Sequence, residues 1–378
     1  MDFDLTEEQR ALVESVTRFA QREFADKAYS WTTYPWENAK KLAEQGFAGL
    51  ALPEEKGGGG ANLFDALLVL EAISRVCPHS GDAFQAMNFG GIRQIGEFGS
   101  DRVVAEVLPG LLAGEFLVTS GMSESEAGSA LTDMQTTARW DGDDVIINGT
   151  KLWNSHGPEG THHVIWCRFG ARTRDIGAVL VPADTPGFTK GPVERYMSGE
   201  PFCSLVLEDV RVHKDYVLSS EGALRDMMSI FNGARIGNSI RSVALATTAF
   251  ELAVEHAKSR VQFGKRLMEF QGLQWKFADM FIKLEAARLL VYRAASNAGA
   301  GRLDATETSV AKTFANEQCL WVAEQALQIH GAMGYSTEMP LEYIVRRIRG
   351  WGIAGGAVEM QRNRIAAGIF KERLDQRG

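Results

Sequence analysis

The residues that could do chemistry are densest between positions 119 and 157, TSGMSESEAGSALTDMQTTARWDGDDVIINGTKLWNSHG. Thr119, Ser120, Gly121 and Ser123 open this stretch, a flexible segment follows at 124–129, and Trp153, Asn154, Ser155 and His156 close it. Hydroxyls and free backbone amides at strand ends can hydrogen-bond the edge of a planar polar heterocycle while an indole covers its face. Asp141-Gly142 and Asn148-Gly149 both read as hairpin turns, because these pairs tolerate positive φ at low cost.

Other candidate chemistries are weaker. His156, His162 and His163 have an H-x5-HH spacing that matches no zinc signature, so no metal is expected and the three read as β-loop histidines. His156 directly follows Ser155 and keeps a proton-transfer role in view. Gly57, Gly58, Gly59 and Gly60 form a turn; no Gly-Lys-Ser/Thr follows to make a phosphate loop. Cys77, Cys167, Cys203 and Cys319 make no CxxC pair and read as buried thiols of a reduced, cytoplasmic protein. A net charge of -8 argues against nucleic acid as a partner, yet leaves room for a phosphorylated small molecule held by a few local arginines. The acidic start MDFDLTEEQR resembles no targeting segment, and no apolar run approaches the roughly 18 residues that cross a membrane.

The elements that must position these residues follow from periodicity. Residues 1–115 read as helical: Leu5, Leu12, Val13, Val16 and Phe19 have a 3–4 spacing behind a capping box at 6–9, and helical patterns return at 63–76 and 83–98. Leu108-Pro109-Gly110 is expected to close that region. Short β-prone runs at 145–147, 164–166, 178–181 and 204–207 predict a β domain over 116–220. From 221 to 378 two long apolar stripes, one through Ile236, Ile240 and Val243 and one through Leu273, Phe277, Met280 and Leu284, predict a helical bundle.

Three spaced motifs carry a resemblance. The stretch SESEAGSALTDMQTTA…DGDDVIINGTKLWNSHG, the segment SRVQFGKRLMEFQGLQWKFADM and the segment LQIHGAMGYSTEMPLEYIVRR are similar, in order, to three motifs of the acyl-CoA dehydrogenase family. The resemblance implies that family's fold: an α-helical N-terminal domain, a central β-barrel-like domain and a C-terminal four-helix bundle, assembled as a homotetramer. It implies bound FAD, with Met122, Ser123, Trp153 and Ser155 at the isoalloxazine. Arg260, Gln262 and Phe263 would meet the adenine and diphosphate half of a neighbouring subunit's FAD, and Gln328 and Gly331 would hold the diphosphate. Guanidinium suits that place because it pairs bidentately with phosphate oxygens.

The resemblance also implies a CoA thioester as substrate. Ser129 lies where the family contacts pantetheine or phosphate, and Arg235 lies where it has an arginine near CoA. Asn232 replaces the family's aspartate. The family's base, a glutamate, aligns with Gly355; the position used by a minority of members aligns with Ala234. Glu359 is nearby and reads as a helix-surface carboxylate. The segment around Gly355 resembles a subgroup related to 3-sulfinopropionyl-CoA desulfinases, which lack the glutamate. Asp82 stands where that subgroup has an arginine for the acidic end of its substrate. It is a candidate for a displaced base, for binding a cationic or hydroxylated acyl group, or for a helix N-cap in Ser80-Gly81-Asp82; Arg93 is the candidate for an acidic group. α,β-Desaturation with electron transfer flavoprotein as acceptor is the leading expectation. A non-redox acyl-CoA lyase, a flavin monooxygenase and a non-catalytic binding protein of the same fold are its rivals.

Overall fold

The structure, a computed structural model, describes residues 4–372 of the 378. In chain order the helices are α1 (Glu7–Phe24), α2 (Trp36–Glu44), α3 (Leu63–Val76), α4 (Pro78–Asn88), α5 (Gly91–Phe98), α6 (Asp101–Leu112), α7 (Ala223–Asp226), α8 (Met228–Ser259), α9 (Gln271–Gly299), α10 (Ala305–His330), α11 (Ala332–Tyr335), α12 (Leu341–Trp351) and α13 (Val358–Phe370). The strands are β1 (Val118–Gly121), β2 (Thr137–Asp141), β3 (Asp144–Ser155), β4 (His162–Arg168), β5 (Ile176–Pro182), β6 (Phe188–Lys190), β7 (Glu194–Arg195), β8 (Pro201–His213), β9 (Val217–Ser219), β10 (Val261–Gln262) and β11 (Lys265–Arg266). The chain divides into two compact units: Met1–Tyr29, Asn62–Gly81 and Arg235–Gly378 form one, and Ser30–Ala61 with Asp82–Ala234 forms the other.

In the helical unit α1 packs on α3, α3 on α9, and α10 takes α9 on one side and α12 and α13 on the other. The helix starts are locally encoded. Thr6 and Gln9 make a reciprocal capping box, Asn62 accepts from the Asp65 N–H at 2.9 Å, and Asp304 accepts from the Glu307 N–H at 2.7 Å. Among the described residues no helix is long and apolar enough to cross a membrane.

The other unit is built on a nine-stranded sheet of order β6-β8-β3-β2-β4-β5-β9, with β1 added parallel to β4 and β7 added to β8. The period of two in β4 explains two cores. Val164 and Trp166 pack with Ile92, Ile95 and Val103 of α5 and α6, while Ile165 and Cys167 pack with Val145, Ile147 and Leu205 of β3 and β8. A strand buried on both faces reads as a continuous apolar run.

Four local expectations are corrected. Pro109 and Gly110 lie inside α6 rather than closing it; the proline forfeits one backbone bond near the helix end, and Gly110 sits where a Cβ would stand 2.3 Å from the Phe116 ring. The pattern at 83–98 is two helices, α4 and α5, parted at Gly90. Asp82 is inside α4, not its cap. Asn148-Gly149 is no hairpin turn: β3 runs through it with a register shift against β8, and Asn148 bonds Asp209 across the irregularity at 3.0 and 2.8 Å. Asp141-Gly142 is the turn between β2 and β3, with Gly142 at φ 64°.

Candidate functional site

In the sheet unit, β1 delivers Met122 and Ser123 to the side of β3. Ser123 O accepts from the Leu152 N–H at 2.8 Å and Met122 O from Lys151 Nζ at 3.2 Å. Lys151 is fully buried and lies 2.7 Å from Glu124, which also accepts from the Thr136 N–H and hydroxyl at 3.0 and 2.6 Å. Burial pulls Lys151 below the ordinary lysine range, against the bond it donates to Glu124. Burial raises the Glu124 carboxyl, but the bonds from Gln135, Lys151 and Thr136 outweigh it and hold the group low. The pair is an internal strut that aims the 122–124 backbone.

The end of β3 turns its side chains alternately. Asn154 is buried and accepts from Thr119 Oγ1 at 2.7 Å, and Thr119 Oγ1 lies 2.8 Å from His163 Nδ1. Burial pushes His163 down to about 3, so it is neutral there. Trp153 and Ser155 face out, Trp153 at 60% exposure. Tyr196 ties them together: its hydroxyl donates to Trp153 O at 3.0 Å and shares a 3.0 Å bond with Ser155 Oγ, while its ring stacks on Phe202 at 4.4 Å. Trp153 lies 5.2 Å from the same Phe202 ring. The result is an aromatic platform with a hydroxyl at its edge; on β1 the Ser120 hydroxyl is buried with no protein partner among the described residues.

Backbone strain marks the same places. Among the described residues, Trp153, His156, Asp209, Phe263 and Lys371 are the non-glycine residues at positive φ. Trp153 and His156 flank Ser155. Such conformations cost on the order of 1–3 kcal/mol and gather where function demands them. His156 packs edge-on to Tyr34 at 5.5 Å and 3.8 Å from Glu159, and neither of its ring nitrogens has a hydrogen-bond partner. His162 lies apart, its ring 5.0 Å from Phe116.

The sequence-derived substrate residues of this unit fall in three places. Ser129 is exposed on the 124–130 segment. Arg93, on α5 and 2.8 Å from Glu97, meets the start of α8: a Cβ on Gly233 would stand 3.1 Å from its guanidinium. Gln85 Nε2 donates to Ala234 O at 3.3 Å in the same region, and Asn232 is buried two residues earlier. Asp82 is buried, with a carboxylate oxygen within 4.8 Å of one on buried Glu200. Burial and then the Asp82 charge push the Tyr34 phenol upward.

In the helical unit, Arg260, Gln262 and Phe263 lie on and beside the exposed β10–β11 hairpin, with Phe263 95% exposed at φ 50°. Gln328 is exposed on the last turn of α10. Gly331 caps that helix at φ 64° and ψ -139°, where a side chain is not tolerated, and a Cβ there would have nothing within 4 Å. The His256 and His330 rings stack at 4.4 Å and tie the ends of α8 and α10 together.

The loop carrying Gly355 is held by side chains from three helices. Lys312 donates to Trp351 O at 2.7 Å, Arg235 Nε to Gly355 O at 2.8 Å, and Gln361 Nε2 to Gly356 O at 2.9 Å. Gly355 has φ 70° and Gly356 φ 90°. Glu359 is exposed on α13, away from these bonds. Sequence reasoning missed Tyr196, Lys312 and Asn238. The first two are far in sequence from what they hold; Asn238 sits three residues after Arg235, on the same helix face, and that spacing was the available signal.

With this geometry established, the chain is similar to known proteins along nearly its whole length. Residues 6–115, 119–210 and 222–370 match the family models described as the N-terminal, middle and C-terminal domains of acyl-CoA dehydrogenase. It is 37% identical to a 3-sulfinopropanoyl-CoA desulfinase of Paraburkholderia xenovorans, covering 99% of each chain. The solved structure described as the electron transferring flavoprotein of Acidaminococcus fermentans matches with a TM-score of 0.93 at 30% identity, covering 98% of this chain and 100% of that one. A glutaryl-CoA dehydrogenase of Mycobacterium smegmatis in complex with FADH2 matches with a TM-score of 0.92 at 25% identity, covering 98% and 97%.

Proposed function

From the premise that this chain belongs to the acyl-CoA dehydrogenase family and has its three-domain fold, we propose that it is a FAD-dependent enzyme that cleaves an acidic substituent from the β-carbon of an acyl-CoA thioester without net redox change. The family's cofactor suits the residues present. The Trp153–Phe202–Tyr196 platform, the Ser155 hydroxyl and the partnerless buried Ser120 hydroxyl would meet the isoalloxazine together with Met122 and Ser123. The exposed hairpin with Arg260, Gln262 and Phe263, and the bare backbone at Gln328 and Gly331, would meet the diphosphate and adenine of a neighbouring subunit's FAD, which supports a homotetramer. When bound, FAD would supply an electron-accepting isoalloxazine, and Ser155 would be one of the hydroxyls that hold it. Ser129, Asn232, Arg235 and Arg93 are the proposed contacts to the CoA thioester.

One observation carries the choice of reaction. Desaturation needs a carboxylate to take the α-proton, and neither place where the resemblance puts one holds it: Gly355 is a left-handed glycine in a braced loop, and Ala234 has only a methyl group. A missing base costs roughly 10²–10⁴ in rate. Cleavage of a β-sulfinate or β-carboxylate needs none. The bond from the β-carbon to sulfur or carbon breaks, its electron pair stays on the β-carbon and takes a proton from water, and the hydroxide so formed adds to the departing SO₂ or CO₂ to give hydrogen sulfite or hydrogen carbonate.

Desaturation with electron transfer flavoprotein as acceptor is the second reading, supported by the match to the Acidaminococcus flavoprotein. The deciding experiment is anaerobic absorbance of the holoenzyme mixed with a panel of acyl-CoAs, with products weighed by mass spectrometry. Product with the flavin still oxidised is expected. Bleaching of the oxidised-flavin band would overturn the proposal in favour of desaturation, and Asp82 would then be the first carboxylate to replace.

A further inference from the structure

The recess beside Gly355 has a chemical character of its own. A Cβ placed on Gly355 would stand 3.7 Å from Asn238 Nδ2 and 3.8 Å from Arg235 Cγ, ordinary contact distances at which nothing need shift. Asn238 Oδ1 accepts from Arg241 Nη1 at 3.5 Å, and Arg241 is pinned over the Trp351 ring at 4.4 Å. The amide is thereby turned so that its NH₂ faces the recess, and no protein acceptor among the described residues takes those hydrogens. Two buried cations stand behind it: Arg235, whose Nε holds Gly355 O, and Lys312, whose acceptors, Trp351 O and Asn316 Oδ1, are both neutral. Burial and then the charge of Arg364 pull Arg235 down to about 10; burial and then Arg235 pull Lys312 down to about 7. A lysine charge held out of water by neutral acceptors favours an anion nearby.

We propose that Asn238, backed by Arg235, seats an anionic oxygen at the far end of the acyl chain, a carboxylate or a sulfinate, in the space beside Gly355. The inference rests on the functional reading above and names its substrate class. It also accounts for the glycine: a glutamate side chain there would fill the seat and repel its occupant. Asp82, where the desulfinase-like subgroup has its arginine, makes no such seat, because it lies beside a second carboxylate, Glu200.

The test is binding of butyryl-CoA, succinyl-CoA and 3-sulfinopropanoyl-CoA to the holoenzyme and to its Asn238→Leu and Asn238→Asp variants, read by stopped-flow perturbation of the flavin spectrum before turnover, with FAD content and melting recorded for each. The wild-type holoenzyme is expected to prefer an anionic chain over butyryl-CoA. Asn238→Leu should cut that preference about ten-fold, the size of one hydrogen bond to a charged group, and the isosteric Asn238→Asp should reverse it. Whether succinyl or sulfinopropanoyl binds tighter identifies the anion. Wild-type protein that binds all three alike, or a preference unchanged in Asn238→Asp, overturns this inference while leaving the functional reading in place. Wild-type protein that binds no CoA ester overturns both.

Discussion

Gly355 and Lys312 show how much a single residue decides here. Gly355 is free of close contacts, so the obstacle to a glutamate is its φ of 70°, which costs an L-residue about 1–2 kcal/mol. Gly355→Glu should therefore fold. It should raise anaerobic flavin reduction by butyryl-CoA by at least about 10²-fold, the smaller end of what a general base contributes. No gain in a variant that still binds FAD and butyryl-CoA would count against the role given to this position. Lys312 supplies a pH signature. Burial and then the Arg235 charge hold its folded pKa at about 7, below the ordinary lysine value of 10.5, so between those limits the unfolded chain binds more protons than the folded one. Its contribution to stability must therefore rise with pH from about 7 toward 10.5. Urea unfolding of wild type and Lys312→Met at pH 7 and pH 9 should show the wild type gaining on the variant at the higher pH; parallel behaviour would mean that Lys312 is not depressed.

At the scale of the element, β3 is the part that aims the site. Its two irregularities against β8 fall between Ile147 and Gly149 and between Lys151 and Asn154; the second contains Trp153 and directly precedes Ser155. A Cβ on Gly149 would lie 2.4 Å from Thr136 Oγ1 and 2.7 Å from Thr136 Cα, and its φ of 150° is one that only glycine adopts readily. Gly149→Ala is expected to cost about 1–3 kcal/mol in chemical denaturation and to lower FAD retention, since β2 and β3 must part there. An unchanged midpoint would show that the strands yield. The same element shows why turn chemistry misled. Asn-Gly is read as a hairpin because it permits positive φ, but a bulge asks for the same permission. Which of the two forms depends on whether a partner strand lies alongside, and β8 is some 60 residues away in sequence. Helices were more legible, because Thr6, Asn62 and Asp304 cap within three residues of themselves; Pro109 misled because a proline near a helix end loses only one bond.

For the whole molecule, the exposed apolar side chains of the helical unit, Phe263 on its hairpin and Trp275, Phe281 and Ile282 on α9, call for a covering surface. Light scattering of the holoenzyme is expected to show four chains, and Phe263→Ser to release FAD more readily; a monomer that keeps its FAD would refute the neighbouring-subunit arrangement. The sequence by itself determined the order of helical and β segments, the family, and the residue types at the positions that matter, because caps, periods and spaced motifs act over a few residues. It singled out Trp153, Ser155, Arg235 and Gly355 as candidate positions. Only the tertiary structure decided what surrounds them: that Tyr196 ties Trp153 to Ser155, that Arg235, Lys312 and Gln361 brace the loop around Gly355, and that Asn238 brings its amide to 3.7 Å from where a Cβ on Gly355 would stand. Those partners lie tens to more than a hundred residues apart in sequence, where no local period links them, and they meet only when packing brings their helices and strands together.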